Sequence, residues 1–413
     1  MFSSACCFSL KDANEEETSV GETETMASSS SLSKANTTFS LALLRKLSED
    51  NNTANIFFSP FSISSALAMA MLGARGDTAT QISECLKIQD CQDDVHTLFA
   101  KLLSEINKPE APFALSVANR LYGEKSFNFL QEFLTQTKTH YNSEPEAVDF
   151  RTSSEEARVK INNWVEEKTQ GKIKDMVAEG GVDNMTRMVL VNALYFKGDW
   201  FMPFSMEKTY KSKFRLNKVV TKPVQMMFQK NYFHHAYISE VRCQILVMHY
   251  EGYKLSMLIF LPKGIRDSST GLKKLEKHLT YEKFLKWTHP DNMKDTLVEV
   301  KLPQFKLEET YDLNKVLSSM GMADAFDIKK SDFSGMSGNK DLFLSSVSHK
   351  AFVEVNEKGT EAAASTQMRF RCGSSFLPRI NIPISFTADH PFLFFIRHDP
   401  TKSILFAGRF CSP

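Results

Sequence analysis

Apolar residues recur at helical spacing in the first part of the chain. From Asn36 onward they appear every fourth position, which indicates one face of an amphipathic helix. The members of this face are Phe39, Leu43 and Leu47. Ser59-Pro60 interrupts the pattern, and a second helix is predicted from Ser62 onward. Similar spacing predicts further helices over 95–107, 127–140 and 154–169.

Strand patterns dominate the second part of the chain. Residues 188–196 form a near-continuous apolar run, which suits a strand that is buried on both faces. Shorter apolar segments, several of them bounded by Pro or Gly, predict further strands. These segments are 224–228, 244–248, 255–261, 297–302, 392–397 and 403–406. Because helices come first and strands later, without a linker or repeat, we predict one α+β domain over residues 34–413.

Charge and hydropathy exclude two classes of protein. The 413 residues include 50 Lys and Arg against 49 Asp and Glu, so the formal net charge is +1. A protein that coats nucleic acid depends on clustered Lys and Arg, so a nucleic-acid partner is not expected. The richest apolar stretch, 63–74, is broken by serines and is shorter than the ~20 residues that cross a bilayer. A membrane partner is therefore not expected either.

The cysteines and the first residues bear on the compartment. Seven scattered cysteines without a C-x-x-C pair indicate neither a disulfide framework nor a zinc site. Single thiols fit a reducing compartment. Residues 1–33 contain no convincing signal peptide, and we expect them to form a disordered N-terminal extension. These features predict a cytoplasmic protein, with release without a signal peptide as an alternative.

The motifs of common enzymes are absent. The sequence contains no G-x-S-x-G, H-E-x-x-H, P-loop or G-x-G-x-x-G motif. Asp389 and His390 are adjacent, but a structural histidine is the favoured interpretation of this pair. The basic stretch from Lys208 to Lys222 is interpreted as a solvated strand face rather than a polyanion site. We expect no enzyme activity, no cofactor and no metal.

Residues 354–373 combine a strand pattern with poor strand propensity. From Thr360 to Cys372, small or apolar residues alternate with a second set that becomes polar or charged. This period of two residues is that of a half-buried strand. The run Ala362–Ser365, however, is unfavourable in strands. Such conflicts are expected at functional sites. The segment is either an ordinary edge strand or a loop that becomes a strand by sliding between two others, where small residues ease entry.

Four segments of the chain resemble the serpin family, and within it the intracellular, ovalbumin-like branch (clade B). They are Asn192–Trp200, Phe386–Ile396, Ile404–Phe410 and the hinge-like segment Glu354–Thr366. In the last of these, Lys358 stands where a glutamate is usual. The resemblance covers residues 34–413. It implies a fold of three β-sheets and about nine helices, with an exposed reactive-centre loop at about 357–385.

The resemblance also implies a suicide-substrate inhibitor of serine proteases that acts as a monomer. An elastase-, chymotrypsin- or trypsin-like protease, or alternatively a cysteine protease, attacks the loop and forms an acyl-enzyme. The cleaved loop then inserts into the central sheet and traps the protease. The hinge of this loop is Glu357, Gly359, Thr360, Glu361, Ala362, Ala363, Ala364, Ser365 and Thr366. A polar cluster beneath the opening strands, the shutter, is Ser59, Ser62, Asn192 and His349.

The cleaved bond and the type of serpin stay open at this point. Family spacing from the hinge places the bond at Gly373-Ser374. Arg371-Cys372 is the alternative, and counting back from Phe386 points near Pro378-Arg379. A non-inhibitory serpin, serving as a binding or storage protein, would carry a bulky or charged residue in place of Thr360. The small residues of the hinge therefore favour an inhibitor.

Overall fold

The computed structural model describes residues 15–108, 112–360 and 382–413. Its α-helices are α1 (Glu15–Asp50), α2 (Pro60–Met71), α3 (Gly76–Leu86), α4 (Val95–Ile106), α5 (Gln131–Tyr141), α6 (Ser154–Lys168), α7 (Lys273–His278), α8 (Tyr281–Trp287), α9 (Asn314–Ser319) and α10 (Ser334–Ser337). Its strands are β1 (Ile56–Phe58), β2 (Phe113–Glu124), β3 (Glu146–Val148), β4 (Met188–Asp199), β5 (Tyr210–Arg215), β6 (Thr221–Ile238), β7 (Cys243–His249), β8 (Leu255–Pro262), β9 (Lys294–Pro303), β10 (Phe305–Asp312), β11 (Leu344–Val355), β12 (Gly359–Thr360), β13 (Ile384–Thr387), β14 (Phe392–His398) and β15 (Ile404–Phe410).

The predicted helices are present, but the first begins earlier than expected. The patterns at 95–107, 127–140 and 154–169 correspond to α4, α5 and α6. Helix α1 begins at Glu15, inside the segment 1–33 for which disorder was expected. Leu32 is already buried in the core, so the packed part of this helix begins before residue 34. The position of the domain boundary stays a prediction, and residues 1–14 lie outside the described residues.

The smaller sheet contains the boundary that matters for function. Its six strands run in the order β10-β11-β12-β4-β2-β3. Strand β2 is antiparallel to β4, and β10 is antiparallel to β11, whereas β4 and β11 run parallel to each other. We call the boundary between β4 and β11 the seam. A strand placed between parallel neighbours can pair antiparallel with both of them.

The larger sheet is joined together by one long strand. Its path is β1-β15-β14-β8-β7-β6-β9-β13, and β5 pairs with β6. Strand β6 spans 18 residues and pairs with β5, β7 and β9 along its length. Three sheets were expected, but the described residues form two hydrogen-bonded sheets. The reason is that β6 pairs with β5 and β9 as well as with β7, and so joins two of the expected sheets into one.

Helices cover both faces of β4. Helix α2 lies in the main core, with every residue from Pro60 to Ala70 buried. A second hydrophobic cluster contains Ile161 and Val165 of α6 together with Val189 and Val191 of β4. Burial on both faces explains why this strand has a continuous apolar sequence. No helix in the described ranges is long and apolar enough to span a bilayer.

Candidate functional site

The beginning of the predicted hinge enters one end of the seam. Gly359 and Thr360 form β12, in which Thr360 is opposite Val355 of β11 on one side and Gly198 of β4 on the other. Both pairings are antiparallel. The Thr360 side chain is fully buried, and its hydroxyl lies 2.9 Å from the hydroxyl of Tyr250. A small polar residue is therefore required at this position.

Gly359 lies directly against the backbone of β4. A Cβ atom at this position would lie 2.1 Å from the carbonyl oxygen of Gly198 and 2.6 Å from the Cα of Asp199. Both are backbone atoms within a paired strand, so they cannot rotate away from an added methyl group. The close approach of the two backbones explains why glycine is needed here.

Buried groups hold the turn that precedes β12. The Glu357 side chain is buried, and its carboxylate accepts hydrogen bonds from Thr209 Oγ1 at 2.5 Å and from Gln304 Nε2 at 2.7 Å. The Trp200 indole N–H donates to the carbonyl of Asn356 at 3.0 Å. Sequence reasoning named Glu357 but missed its partners. They lie 148 and 53 residues away along the chain, so no local pattern connects them.

The four predicted shutter residues lie in one hydrogen-bonded network. The backbone N–H of Ser59 donates to His349 Nε2 at 3.0 Å, and His349 Nδ1 is hydrogen-bonded to Asn192 Oδ1. The Asn192 amide donates to Ser62 Oγ and to Asn119 Oδ1. Asn119, which sequence reasoning missed, lies opposite Asn192 in the register of β2 and β4. The mechanical role of this network stays a prediction.

His349 is fully buried and neutral. Burial lowers the pKa of its imidazole to about 3. Because Nε2 accepts the Ser59 N–H, the ring proton is on Nδ1 and is donated to Asn192. Tyr311 stacks near this ring, with centroids 6.3 Å apart at an angle of 15°. The hydrogen bond from His349 of β11 to Asn192 of β4 crosses the seam.

The remainder of the predicted hinge and the candidate cleavage positions lie outside the described residues. They are Glu361, Ala362, Ala363, Ala364, Ser365, Thr366, Gly373-Ser374, Arg371-Cys372 and Pro378-Arg379. Beyond them, β13 pairs in parallel with β9 from Ile384 to Thr387. The described strands on either side of this segment therefore belong to different sheets: β12 ends at Thr360 in the smaller sheet, and β13 begins at Ile384 in the larger sheet.

The adjacent Asp389 and His390 contribute to packing. The His390 ring is buried, with Nε2 2.6 Å from the carbonyl oxygen of Pro262 and Nδ1 2.8 Å from Asp389 Oδ1. Both ring nitrogens are engaged, which favours the structural interpretation. In the part of the chain that the structure describes, no cluster of three or more His, Cys, Asp or Glu side chains is arranged to hold a metal ion.

Comparison with known proteins identifies the family. The model of the serpin (serine protease inhibitor) family matches residues 34–413. The chain is 52% identical to leukocyte elastase inhibitor of Equus caballus over 382 residues, which cover 92% of this chain and 99% of that protein. It is 50% identical to serpin B6 of Macaca fascicularis over 386 residues, again 92% and 99% of the two chains. Uncleaved ovalbumin superposes with a TM-score of 0.84 at 36% identity, over 92% of this chain and 100% of ovalbumin.

The chain belongs to the serpin family. The predicted α+β serpin fold and the assignment to the ovalbumin-like branch are confirmed. Relatives such as leukocyte elastase inhibitor are named as inhibitors, in agreement with the prediction that this chain is an inhibitor rather than an enzyme.

Proposed function

We propose that the protein inhibits serine proteases by inserting its cleaved reactive loop into the seam. The position of Thr360 carries this proposal. This residue already lies between β4 and β11, antiparallel to both strands. Residues that follow it into the seam would continue the same two ladders, so that β10, β11, the inserted strand, β4 and β2 would each be antiparallel to the next.

The energy available from insertion is sufficient to drive the change. A loop strand would form one ladder with each neighbour and would break the direct ladder between β4 and β11, for a net gain on the order of a dozen hydrogen bonds. At ~0.5–1.5 kcal/mol each, this gain is about 10 kcal/mol in all. This gain is comparable to the ~5–15 kcal/mol that stabilises a whole domain. The uncut protein is therefore held in its state by a kinetic barrier.

The two ends of the loop explain why cleavage is required. One end is held at Thr360 in the smaller sheet, and the other at Ile384 in the larger sheet. An intact loop cannot slide far into the seam while both ends are fixed. Attack by a protease separates the ends. The protease remains attached to the freed strand as an acyl-enzyme and is carried with it, and distortion of its catalytic site halts deacylation.

The target is proposed from the relatives and from the loop sequence. Leukocyte elastase inhibitor is named for elastase, which supports an elastase-like target for this chain. The residues at Gly373-Ser374 and Arg371-Cys372 keep chymotrypsin-like, trypsin-like and cysteine proteases as alternatives. We also propose a cytoplasmic location, because scattered single thiols fit a reducing compartment.

A small protease panel tests the proposed function. We expect incubation with elastase, chymotrypsin or trypsin to give a complex that survives denaturing electrophoresis, together with a released peptide. The first residue of that peptide identifies the cleaved bond. If each protease cleaves the loop and is released without forming a stable complex, inhibition by trapping is rejected.

Thr360→Arg separates trapping from simple cleavage. The Thr360 side chain is fully buried against Tyr250, and an arginine there would bury a charge without a partner. We expect this variant to fold but to be cleaved as a substrate, with loss of most of the stable complex on denaturing gels. The exposed Thr139→Arg is the matched control and should trap protease normally. An unchanged yield of complex in Thr360→Arg contradicts insertion.

A further inference from the structure

Close to the turn that holds the hinge, aromatic side chains surround a cleft that the proposed inhibition does not use. The volume of the cleft is about 190 Å³. Its walls include Phe201, Tyr232, His249, Tyr253 and Asp295. An apolar cavity of ~150 Å³ is large enough to bind benzene. This cleft therefore has room for one substituted aromatic ring.

The rings of the cleft expose large surfaces. Tyr232 is 46% exposed and Tyr253 is 48% exposed. The centroid of Phe201 lies 4.3 Å from that of Tyr253 at an angle of 47°, and the His249 centroid lies 5.2 Å from Tyr253. These contacts hold the rings beside one another without a ligand. Their faces carry the negative part of the aromatic quadrupole, which attracts cations.

His249 lines the cleft beside the carboxylate of Asp399. Its Nδ1 is buried 3.6 Å from Asp399 Oδ2, and neither atom has a hydrogen-bond partner within the described chain. Arg397 and Ser256 donate to the other oxygen of Asp399 and hold the carboxylate in place. A carboxylate facing Nδ1 favours the tautomer with the proton on that nitrogen. The side chain is one quarter exposed, and in this tautomer Nε2 is the acceptor of the ring.

Besides its tyrosines, the described titratable side chains of the cleft are one carboxylate and two imidazoles. Asp295 contributes a carboxylate, and the lining drawn from the described residues contains no lysine or arginine. His234 is opposite Asp295 in the register of β6 and β9, and its ring centroid lies 5.9 Å from that of His249. A carboxylate, an imidazole acceptor and aromatic faces together complement a ligand that carries a positive charge and N–H donors.

We propose that this cleft binds a small aromatic amine, with its ring against Phe201 and Tyr253 and its ammonium group towards Asp295 and His249. This binding site is independent of protease inhibition. The outcome of the ligand-binding test does not affect the trapping experiments, and the outcome of the trapping experiments does not affect the ligand-binding test.

Methyl NMR on the intact protein tests the site. Met202 and Met248 line the cleft, so ¹³C-methyl methionine labelling provides two local probes. The ligand is 2-phenylethylamine, and the matched controls are 2-phenylethanol and 3-phenylpropionate, which keep the ring and change the charge. We expect the amine to shift both methyl signals with a dissociation constant of roughly 1 mM, as a ligand this small allows. The alcohol and the acid should bind roughly three- to tenfold more weakly.

Two substitutions assign the selectivity to the proposed groups. Asp295→Asn should remove most of the preference for the amine over the alcohol, and Tyr253→Ala should weaken binding of both ligands. Asp291→Asn, an exposed acid outside the lining, is the control and should bind like the wild type. Equal binding of the three ligands, no shift at Met202 and Met248, or an unchanged preference in Asp295→Asn each overturns the proposal.

Discussion

The hydrogen bond between His349 and Asn192 ties the two strands of the seam at the level of α2. It requires a neutral imidazole, because Nε2 accepts the backbone N–H of Ser59. Protonation of Nε2 would place two donors against each other in a fully buried site. The low pKa of His349, about 3, therefore keeps the imidazole neutral and preserves both hydrogen bonds near neutral pH.

This histidine predicts a pH dependence of stability. In the unfolded chain its pKa returns to 6.5, so the unfolded state binds the proton more readily than the folded state. The stabilising contribution of neutral His349 is therefore fully present above pH 6.5 and is lost as the pH falls towards about 3. The loss from this residue amounts to at most about 1.4 kcal/mol per pH unit. His349→Gln, which keeps an acceptor for Ser59, should reduce this slope in urea unfolding.

An exposed histidine supplies the control for that measurement. His289→Gln makes the same substitution at a position that is 51% exposed. It shows whether a new glutamine by itself alters unfolding. If His349→Gln and the wild type lose stability with identical slopes over this pH window, His349 is not the buried neutral group described here.

At the scale of elements, β12 lies where the proposed insertion of the loop would begin. It has two residues, yet it already pairs with β4 and β11. Its entry depends on Gly359, whose Cα lies against the backbone of β4. The hydrogen bonds to Glu357 fix the turn before it and so fix the register in which the strand begins.

Gly359→Ala tests this register. The added methyl group meets backbone atoms of β4, and overpacking of this kind costs about 1–3 kcal/mol. We expect faster amide hydrogen exchange across β12 and a several-fold increase in inhibitor consumed per protease trapped. Lys358→Ala, one residue earlier in the turn, is the control. Unchanged exchange and stoichiometry in Gly359→Ala would show that β12 does not guide insertion.

Some elements were predictable because of how they are buried. Strand β4 was found because helices cover both of its faces and its sequence is continuously apolar. Strands β2 and β11 were missed because they contain Asn119, Arg120 and His349. These polar side chains are accommodated by partners that are distant in sequence, such as the ring of Trp164, which lies 4.3 Å from the Arg120 guanidinium.

In the candidate site, too, local sequence patterns were predictable and contacts between distant residues were not. The hinge was visible because a glycine precedes a run of small alternating residues, a local pattern. The groups that hold it, Gln304 and Thr209, were not visible, because they meet Glu357 only after two sheets and a long loop have formed. The shutter residues became recognisable through family resemblance, because no spacing rule links Ser59 to His349 across 290 residues.

For the whole molecule, the important feature is the loop that connects two sheets. The strand before it ends at Thr360 in the smaller sheet, and the strand after it begins at Ile384 in the larger sheet. We propose that the seam accepts the loop strand only after cleavage, because an intact loop is tethered at both ends. The proposed function depends on this difference between the intact and the cleaved molecule, because insertion supplies the work that displaces the protease.

Thermal unfolding of the cleaved protein tests this claim most directly. The loop is cut within 361–381 by a protease that is not trapped, and Tm is compared with that of the intact protein. A gain of about 10 kcal/mol predicts that the cleaved form melts hotter by on the order of 10–30 °C. Cleaved Thr360→Arg should show a smaller rise. If cleaved wild-type protein melts at or below the Tm of the intact protein, the loop does not enter the seam and the proposed mechanism is wrong.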